Sequence, residues 1–401
     1  MSSPLRRVSP TTLCRPRPRP RRRTLAMAVL AAAVAGLLAA PAQAVPSPVA
    51  ERSGLQKALS DLVDLPGGPP GVIAVVRRGD RVETFRAGVA EVGSGRTPQI
   101  DDSMRLASVS KAFGGVVALT LVDQGLLSLD DTIGQRLPSL PADWGCVTLR
   151  ELLNHTSGLP DYVSSPRFQH EFLTDPHHVF DSRRLLDYVA DRPLLFDPGS
   201  AYHYSNSDNI AVALMTEAVT GRRYEDLLRT DVLAPLRLDR TSLPQGSRLP
   251  RPYLHGYVVD PPAAPTDVST AFGMSGLWAA GGMVSTPGDL NRFIAADAGG
   301  ELLSPATHAQ QFRFVDGRSQ PSGPGRNEAG LALFRYTTPC GVVYGHTGNV
   351  QGYTQFAAAT ADGRRSVTLS LSEQLSDSSA APLVSRFRAA EEQLVCRAME
   401  H

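Results

Sequence analysis

The stretch that decides the fold is residues 107–124, which read ASVSKAFGGVVALTLVDQ. From Ala112 onward apolar or small side chains occur at almost every position, so they cover all faces of a helix rather than one stripe. A helix that is apolar all round has to be buried in the core of a sizeable protein. Gly125 follows and is a typical closing residue. We therefore predict a buried helix over residues 107–124.

Strand-like segments lie on both sides of this helix along the chain. The turn signal Gly79-Asp80 joins two of them before the helix, and Asp362-Gly363 joins the last two after it. The predicted strands are residues 72–76, 82–90, 342–346, 353–360 and 366–371. A sheet therefore draws its strands from both ends of the chain.

The middle of the chain, about residues 131–269, mixes short helical patterns with loops rich in Pro and Asp and shows no alternating strand run. Predicted helices are residues 52–65, 149–153, 182–190, 208–220, 224–233, about 287–296 and 381–399. The sequence predicts an α/β (α+β) fold of two domains. An antiparallel sheet flanked by helices is built from residues 51–130 and 270–401, and residues 131–269 form a mainly helical insert.

The first 44 residues resemble an export signal. They contain eight arginines and no acid, then an apolar run of 17 residues from Thr24 to Ala40, then an A-x-A site ending at Ala44. The run is shorter than the roughly 20 residues that a membrane-spanning helix needs. We predict a signal peptide cleaved after Ala44 and secretion to the periplasm or outside the cell, and the choice between general and twin-arginine export stays open. No membrane span is expected after cleavage.

The charge of the remaining chain argues against nucleic-acid binding. Without the leader, 32 basic residues face 39 acidic ones, which gives a net charge of −7. A surface of that kind does not attract phosphate backbones.

Cleavage leaves three cysteines, Cys146, Cys340 and Cys396. In an oxidising compartment this number predicts one disulfide and one leftover thiol. We favour the pair Cys340 and Cys396, because it would tie the terminal helix to the sheet segment that begins near Cys340.

Lysine use points to a reactive group. Only two of the 40 basic residues are lysines, Lys57 and Lys111, so this chain seldom uses lysine merely for charge. Lys111 lies three residues after Ser108, and i, i+3 spacing puts both side chains on one helix face. A buried amine can lose its proton and then deprotonate a serine, which a guanidinium cannot do. The alternative is a helix-capping serine beside a solvated lysine.

Two further clusters are compatible with a binding cleft. Tyr204-Ser205-Asn206 offers a phenol that can relay a proton and an amide that can hold a peptide bond. His346-Thr347-Gly348 ends a predicted strand, and an edge strand there could pair with an extended peptide. Taken singly, the first could be a loop tyrosine beside a helix cap and the second an ordinary strand end.

Together and in this order, the three clusters resemble the three motifs of the penicillin-recognising serine enzymes. The chain is most similar to the class C β-lactamase-like branch, and within it to the secreted D-alanyl-D-alanine carboxypeptidases, because the second motif is Tyr-x-Asn and the third is His-Thr-Gly rather than Lys-Thr-Gly. The resemblance runs from about residue 51 to the C-terminus. It is supported by residues 152–159, 198–206, 280–290 and 344–353.

The resemblance implies catalytic roles. Ser108 would be acylated, and Lys111 and Tyr204 would share the proton transfers. The oxyanion would lie between the backbone N–H groups of Ser108 and Asn349. Asn349 stands where the family pattern leads us to expect threonine, which puts the affinity for a carboxylate in doubt.

Substrate-binding roles follow from the same resemblance. Asn206 and Thr347 would hold the substrate amide and carboxylate, His346 would donate to the free carboxylate, and Gly348 would let the substrate approach the strand. Arg335 is a further candidate partner for that carboxylate.

The predicted function is a secreted serine D-alanyl-D-alanine carboxypeptidase. It would act on peptidoglycan stem peptides or other D-amino-acid peptides, bind β-lactams as covalent inhibitors, need no metal or organic cofactor and work as a monomer. A β-lactamase, or an esterase or D-aminopeptidase of the same fold, is the first alternative. A non-catalytic penicillin- or muropeptide-binding module is the second, although Ser108, Lys111 and Tyr204 are all retained. His155 is interpreted as structural, and no Gly-x-Ser-x-Gly motif occurs.

Overall fold

The computed structural model describes residues 48–400, with side chains from residue 54 onward. The signal peptide predicted at residues 1–44 lies outside the described residues.

Strands and helices occur in the order that the sequence predicts, with additional short strands. The strands are β1 (Gly71–Arg78), β2 (Arg81–Gly88), β3 (Met104–Arg105), β4 (Tyr257–Val258), β5 (Thr266–Asp267), β6 (Val284–Ser285), β7 (Val315–Asp316), β8 (Arg326–Ala329), β9 (Phe334–Thr338), β10 (Gly341–Val350), β11 (Tyr353–Ala359) and β12 (Arg365–Leu371). The α-helices are α1 (Pro48–Val63), α2 (Ser110–Asp123), α3 (Ile133–Arg136), α4 (Leu149–Leu153), α5 (Pro166–Thr174), α6 (Asn206–Thr220), α7 (Tyr224–Leu228), α8 (Trp278–Gly281), α9 (Pro287–Gly299), α10 (Pro305–Gln311) and α11 (Ala381–Met399). Segments of 3₁₀ helix cover Ala107–Val109, Ala142–Trp144, Tyr162–Ser164 and Ser182–Tyr188. A π-helical turn covers Arg229–Leu233.

Eight strands form one antiparallel sheet in the order β2-β1-β12-β11-β10-β9-β8-β7. The first strand of the chain therefore pairs with the last, with Val72 opposite Leu371 and Arg78 opposite Arg365. The hairpin between β1 and β2 turns at Gly79, whose φ of +58° is one that glycine adopts without strain. The sheet is therefore assembled from strands near both ends of the chain, as the sequence predicts.

Helices cover both faces of this sheet. On one face, α1 and α11 bury Leu59 and Leu394 against alternate residues of β1 such as Val72 and Ala74. On the other face, α9 lies against β1, β11 and β12. Alternate side chains of β1 thus enter two different layers, which explains why its sequence is an unbroken apolar run.

Helix α2 lies between the sheet and the helical region. The turn Ala107–Val109 that precedes it contacts β10 and β11, and α2 itself contacts α6, α7 and α8. Phe113 of α2 stacks on Phe293 of α9. Because α2 has neighbours on all sides, its apolar sequence is satisfied, and its N-terminus lies where the sheet meets the helical region.

Several elements differ from the prediction. Strands β8 and β9 are not among the predicted strands. The sequence of β8, Arg-Asn-Glu-Ala, has no apolar alternation. Residues 182–188 form a 3₁₀ helix rather than the predicted α-helix, although Ser182, Leu185 and Leu186 are buried at helical spacing. Helix α6 begins two residues earlier than predicted, at Asn206. The predicted architecture, an antiparallel sheet flanked by helices, is otherwise confirmed.

A disulfide joins Cys340, in the turn between β9 and β10, to Cys396 in α11. The predicted pairing is confirmed, and the bond ties the last helix to the sheet. Within the part of the chain that the structure describes, the expected leftover thiol is not found, because Cys146 is also disulfide-bonded.

Across residues 48–400, none of the helices combines the length and the apolar character needed to span a membrane.

Candidate active site

Ser108 and Lys111 lie where the central helix begins. The turn Ala107–Val109 leads directly into α2, so the two side chains share one face. Ala107 has a φ of +49°, in the left-handed region that residues with a side chain rarely adopt. Backbone of this kind persists only where the surrounding packing enforces it, and it is common at functional sites. Here it directly precedes Ser108, which lines a cleft.

The amine of Lys111 is surrounded by three oxygen atoms. Lys111 is 0% exposed, and its Nζ lies 3.0 Å from Ser108 Oγ, 2.8 Å from Asn206 Oδ1 and 2.6 Å from the carbonyl oxygen of Ala280. The amide and carbonyl oxygens can only accept, whereas the serine hydroxyl can also donate. A neutral amine fits this arrangement: its two N–H groups donate to Asn206 and Ala280, and its lone pair accepts the hydroxyl proton of Ser108.

Burial makes that neutral form accessible. Desolvation lowers the pKa of Lys111 to about 7, although the acids Asp161 and Asp208 act in the opposite direction. A lysine with an ordinary pKa near 10.4 would be deprotonated in only about one molecule in 2,500 at pH 7. A pKa near 7 leaves a large neutral fraction, which is what a general base needs.

Asn206 is held on both sides. Its Nδ2 donates to Asp161 Oδ2 at 2.9 Å, while its Oδ1 accepts from Lys111. A carboxylate only accepts, so turning the amide round would break both bonds. Asp161 is itself fixed, since its Oδ1 accepts from the backbone N–H of Val163. Asp161 therefore positions Asn206, and Asn206 positions the lysine amine.

Tyr204 packs between Lys111 and His155. Lys111 Nζ lies 5.1 Å from the centre of the Tyr204 ring, and the ring of His155 lies 4.4 Å from it. Burial raises the pKa of Tyr204 well above its usual value, and the Ser108 hydroxyl acts in the opposite direction. The phenol is protonated at neutral pH, so it is suited to give a proton. Among the described residues its hydroxyl has no hydrogen bond of ordinary geometry.

His155 occupies the structural position that the sequence analysis expected. Its Nδ1 lies 2.7 Å from Asp208 Oδ2, and Ser157 Oγ donates to the other oxygen of Asp208. Burial lowers the pKa of His155 to about 3. The neutral His155 ring packs against Tyr204 and does not line the cleft. It is therefore not a proton acceptor for Ser108.

Strand β10 approaches the helix start closely. A side-chain Cβ at Gly348 would lie 2.8 Å from the backbone nitrogen of Ser108 and 2.7 Å from the carbonyl oxygen of Leu106. Only glycine permits this approach. Ser108 and Asn349 both line the cleft, and the first N–H groups of a helix have no partner within it. The two residues predicted to hold an oxyanion are thus brought to the same cleft.

His346 and Thr347 are not placed as the sequence predicts. His346 is 1% exposed with its edge against Phe334, and the Thr347 hydroxyl donates to the carbonyl oxygen of Pro321. Neither residue lines the cleft. The reason is the loop between β7 and β8, residues 317–325, which covers this part of β10.

Two related expectations have different outcomes. Strand β10 is an inner strand of the sheet, but β9 pairs only with residues 341–345, so residues 346–350 have β11 as a neighbour on one side and no paired strand on the other, as the sequence predicts. Arg335 is not available to a substrate carboxylate, because its guanidinium pairs with Glu328 and lies over the ring of Phe314.

The cleft has a volume of about 640 Å³. One wall is apolar and comes largely from α5 and the segment before α8. The polar lining groups are hydroxyls and amides. The lining residues are Ala107, Ser108, Val163, Phe168, Gln169, Phe172, Leu173, Tyr204, Asn206, Phe272, Leu277, Ala280, Gly281, Gln320, Asn349, Val350, Gln351 and Gln374. None of these residues carries a formal charge.

Sequence reasoning missed three contributors to the site. Asp161 lies two residues after the segment 152–159 that supports the family resemblance. A single acid after Pro160 does not by itself indicate a functional residue. The carbonyl oxygen of Ala280 belongs to a segment that was noticed for its small residues, but a backbone acceptor leaves no mark in sequence. Gln320 lies in a loop without any periodic pattern.

Replacing Asp161 by asparagine is expected to shift the pH dependence of hydrolysis. A nearby carboxylate raises the pKa of Lys111, so its removal lowers that pKa and moves the rising limb of kcat/KM about one pH unit toward acid. Asp130→Asn, the same change at an exposed site, is the control and should leave the limb unchanged. A limb that stays in place in Asp161→Asn, or moves toward base, would contradict the electrostatic role of Asp161.

Among residues 48–400, no three His, Cys, Asp or Glu side chains are grouped so as to hold a metal ion. The reactive pair in the cleft is the Ser108 hydroxyl beside the buried Lys111 amine. Together with an antiparallel sheet flanked by helices, it defines the class of serine hydrolases with the β-lactamase fold.

Comparison with known proteins places the chain within this class. Residues 55–388 match the sequence profile of the family described as Beta-lactamase. The chain therefore belongs to the β-lactamase family, within the superfamily of serine β-lactamases and DD-peptidases.

Individual relatives are named for different activities. Penicillin-binding protein 4* of Bacillus subtilis is 26% identical over 74% of this chain and 66% of its own length. A D-aminopeptidase of Brucella anthropi is 35% identical over 44% of this chain and 33% of its own. The chain thus spans less than two thirds of these curated relatives. A D-stereospecific amidohydrolase from Streptomyces sp. superposes with a TM-score of 0.73 at 29% identity, covering 84% of this chain and 98% of that one.

Proposed function

We propose that this protein hydrolyses amide bonds next to D-amino acids through an acyl-enzyme on Ser108. The observation that carries the proposal is the buried Lys111 amine 3.0 Å from Ser108 Oγ, with two acceptor-only oxygens as its other partners. The preference for D-amino acids is supported by the similarity to the D-aminopeptidase and the D-stereospecific amidohydrolase.

In the acylation step, Ser108 Oγ attacks the substrate carbonyl carbon and its proton passes to Lys111 Nζ. The backbone N–H groups of Ser108 and Asn349 receive the oxyanion. As the C–N bond breaks, the leaving nitrogen takes the proton of the Tyr204 phenol. The Lys111 ammonium then returns its proton to Tyr204.

Deacylation reverses these roles with water as the nucleophile. Water adds to the acyl carbon and gives a proton to Lys111, and the bond to Ser108 Oγ breaks. Ser108 regains its proton from Lys111, and the product leaves as an acid. The Asn206 amide keeps one N–H on Asp161 and offers its second to the acyl side of the substrate.

The narrower activity predicted from sequence, a D-alanyl-D-alanine carboxypeptidase on peptidoglycan stem peptides, is the second candidate. Its support is the similarity to penicillin-binding protein 4*, which extends over 74% of this chain. A non-catalytic binding module is less well supported, because Ser108, Lys111 and Tyr204 are not only retained but brought together.

A substrate panel tests the proposal. The panel contains D-alanine amide, D-phenylalanine amide, their L forms, diacetyl-L-lysyl-D-alanyl-D-alanine and a chromogenic cephalosporin. We expect turnover of D-configured amides with an acyl-enzyme detectable by intact mass, and little turnover of the L forms. Absence of both turnover and any acyl-enzyme across the panel would overturn the proposal, and turnover of the cephalosporin alone would favour a β-lactamase.

A further inference from the structure

The lining of the active-site cleft carries no charge. Within the described residues, every polar group that lines it belongs to a serine, a tyrosine, an asparagine, a glutamine or the backbone. A free carboxylate that moves from water into such a cleft loses hydration and needs a cation or several donors in return. The leaving group of a terminal carboxypeptidase substrate carries such a carboxylate.

Two of the polar side chains at the predicted carboxylate position donate to backbone carbonyl groups instead. The family resemblance assigns it to Thr347, but the hydroxyl of Thr347 donates to the carbonyl oxygen of Pro321. The side-chain amide of Asn349 donates to the carbonyl oxygen of Leu375 at 2.8 Å. His346 is 1% exposed and does not line the cleft; its Nδ1 is directed at the carbonyl oxygen of Thr347, and its Nε2 has no hydrogen-bond partner among the described residues.

The loop that carries Pro321 is fixed at several points. Ser319 Oγ accepts from the Tyr336 hydroxyl at 3.1 Å, and Ser322 Oγ donates to Asp377 at 3.0 Å. The backbone N–H of Gly323 donates to Asn327 at 2.8 Å. These contacts hold the carbonyl oxygen of Pro321 in position to accept the hydrogen bond from the Thr347 hydroxyl.

Three basic side chains are held by other groups. The Lys111 amine is 0% exposed and contacts Asn206 and Ala280. Arg335 pairs with Glu328, and Arg105 is buried with its guanidinium donating to the carbonyl oxygens of Ser247 and Ser269. The chain beyond the predicted signal peptide carries 39 acids against 32 bases, so its overall field also disfavours an anion.

We propose that the cleft selects substrates whose leaving group has no negative charge, such as primary amides, esters and peptides with a blocked C-terminus, over substrates that end in a free carboxylate. This inference rests on the proposed function of Ser108 and names the substrate class of the same site. On this inference the protein is an amidase, or a hydrolase of peptide bonds inside a peptide, rather than a carboxypeptidase that removes the C-terminal residue.

A matched pair of substrates tests the inference. Acetyl-D-alanyl-D-alanine and its C-terminal amide differ only in the charge of the leaving group. We expect kcat/KM for the amide to exceed that for the acid by at least about tenfold, the range expected when one polar group is left unpaired in a buried site. Equal rates, or a faster acid, would overturn the inference.

A charge introduced beside the predicted carboxylate position provides the second measurement. Gln320 is exposed, lines the cleft and directly precedes Pro321. Gln320→Lys is expected to lower the amide-to-acid ratio by about tenfold, because a cation then faces the leaving group. Gln169→Lys, at an exposed glutamine that α5 contributes to the same cleft, is the matched control and should leave the ratio within about twofold. An equal response of both variants would contradict the proposed location of the leaving group.

The acyl-enzyme separates this inference from the proposed function. If either substrate gives a mass shift on Ser108, the proposed function stands and the ratio alone decides the inference. If neither substrate acylates Ser108 or is hydrolysed, the inference is overturned, and the separate panel of D-amino-acid amides decides the proposed function.

Discussion

Ser108→Ala is expected to abolish covalent labelling by a fluorescent penicillin and to reduce hydrolysis of D-amino-acid amides by about 10³-fold or more. The serine hydroxyl is the atom that forms the acyl bond, and removing a nucleophile removes nearly all the rate that depends on it. The label is read on a denaturing gel, and the acyl-enzyme is read by intact mass.

The control for this variant is Ser164→Ala. Ser164 is an exposed serine next to the lining residue Val163, and its removal should leave both labelling and rate unchanged. Labelling that persists in Ser108→Ala would reject Ser108 as the nucleophile. Equal loss in both variants would show that the effect is not specific to the acyl-bond position.

Lys111→Arg is expected to lower kcat/KM by about 10³-fold while the protein still folds. Arginine retains the positive charge but is not deprotonated in proteins, so it cannot accept the proton of Ser108. Positioned general bases contribute roughly 10²- to 10⁴-fold to rate, which sets the expected size. Because arginine is larger and the site is fully buried, Lys111→Met serves as a second variant of similar length without charge.

The chain provides its own matched control for this change. Lys57, the other lysine, is 74% exposed in its side chain and pairs with Asp61. Lys57→Arg should leave activity and thermal stability unchanged. The prediction fails if Lys111→Arg or Lys111→Met retains activity within about tenfold of the parent, since a base would then have to lie elsewhere.

The pH profile gives the same base a second signature. With the pKa of Lys111 lowered to about 7, the lysine accepts a proton only above that pH, so kcat/KM should rise with pH through about 7. A profile that is flat from pH 5 to 9 would not fit a lysine base.

The central helix and its nucleophile were predictable because one local stretch carries the whole signal. Residues 107–124 are apolar on all faces, and the spacing of Ser108 and Lys111 is set by the helix itself. The structure adds that burial lowers the pKa of the lysine. It also shows that the acceptors that orient the amine, from Asn206 and Ala280, are 95 and 169 residues away, so no local pattern connects them.

The third cluster shows where local reasoning fails. The segment 346–348 was correctly placed on a strand, but a strand pattern does not reveal which part of it a distant loop will cover. Pro321 contacts Thr347 from a loop without periodicity, and the strands on either side of that loop, β7 and β8, are only two and four residues long. The substrate preference of the cleft therefore depends on contacts that the sequence alone does not display.

The disulfide was predictable for a different reason. Cys340 follows one strand and Cys396 lies in the terminal helix, and a helix at the end of a chain is commonly tied down to the sheet that it covers. The state of Cys146 was not predictable in this way, because its surroundings gave no sign of a partner.

The most direct test of the account is the titration of the Lys111 amine itself. The chain has only two lysines, so lysine labelled with ¹⁵N at Nζ gives two signals, and Lys111→Arg identifies which one belongs to the buried amine. The account predicts that the Lys111 signal changes with a midpoint near pH 7, as its pKa of about 7 requires. If instead that signal does not titrate below about pH 9, the amine stays protonated at neutral pH and cannot activate Ser108.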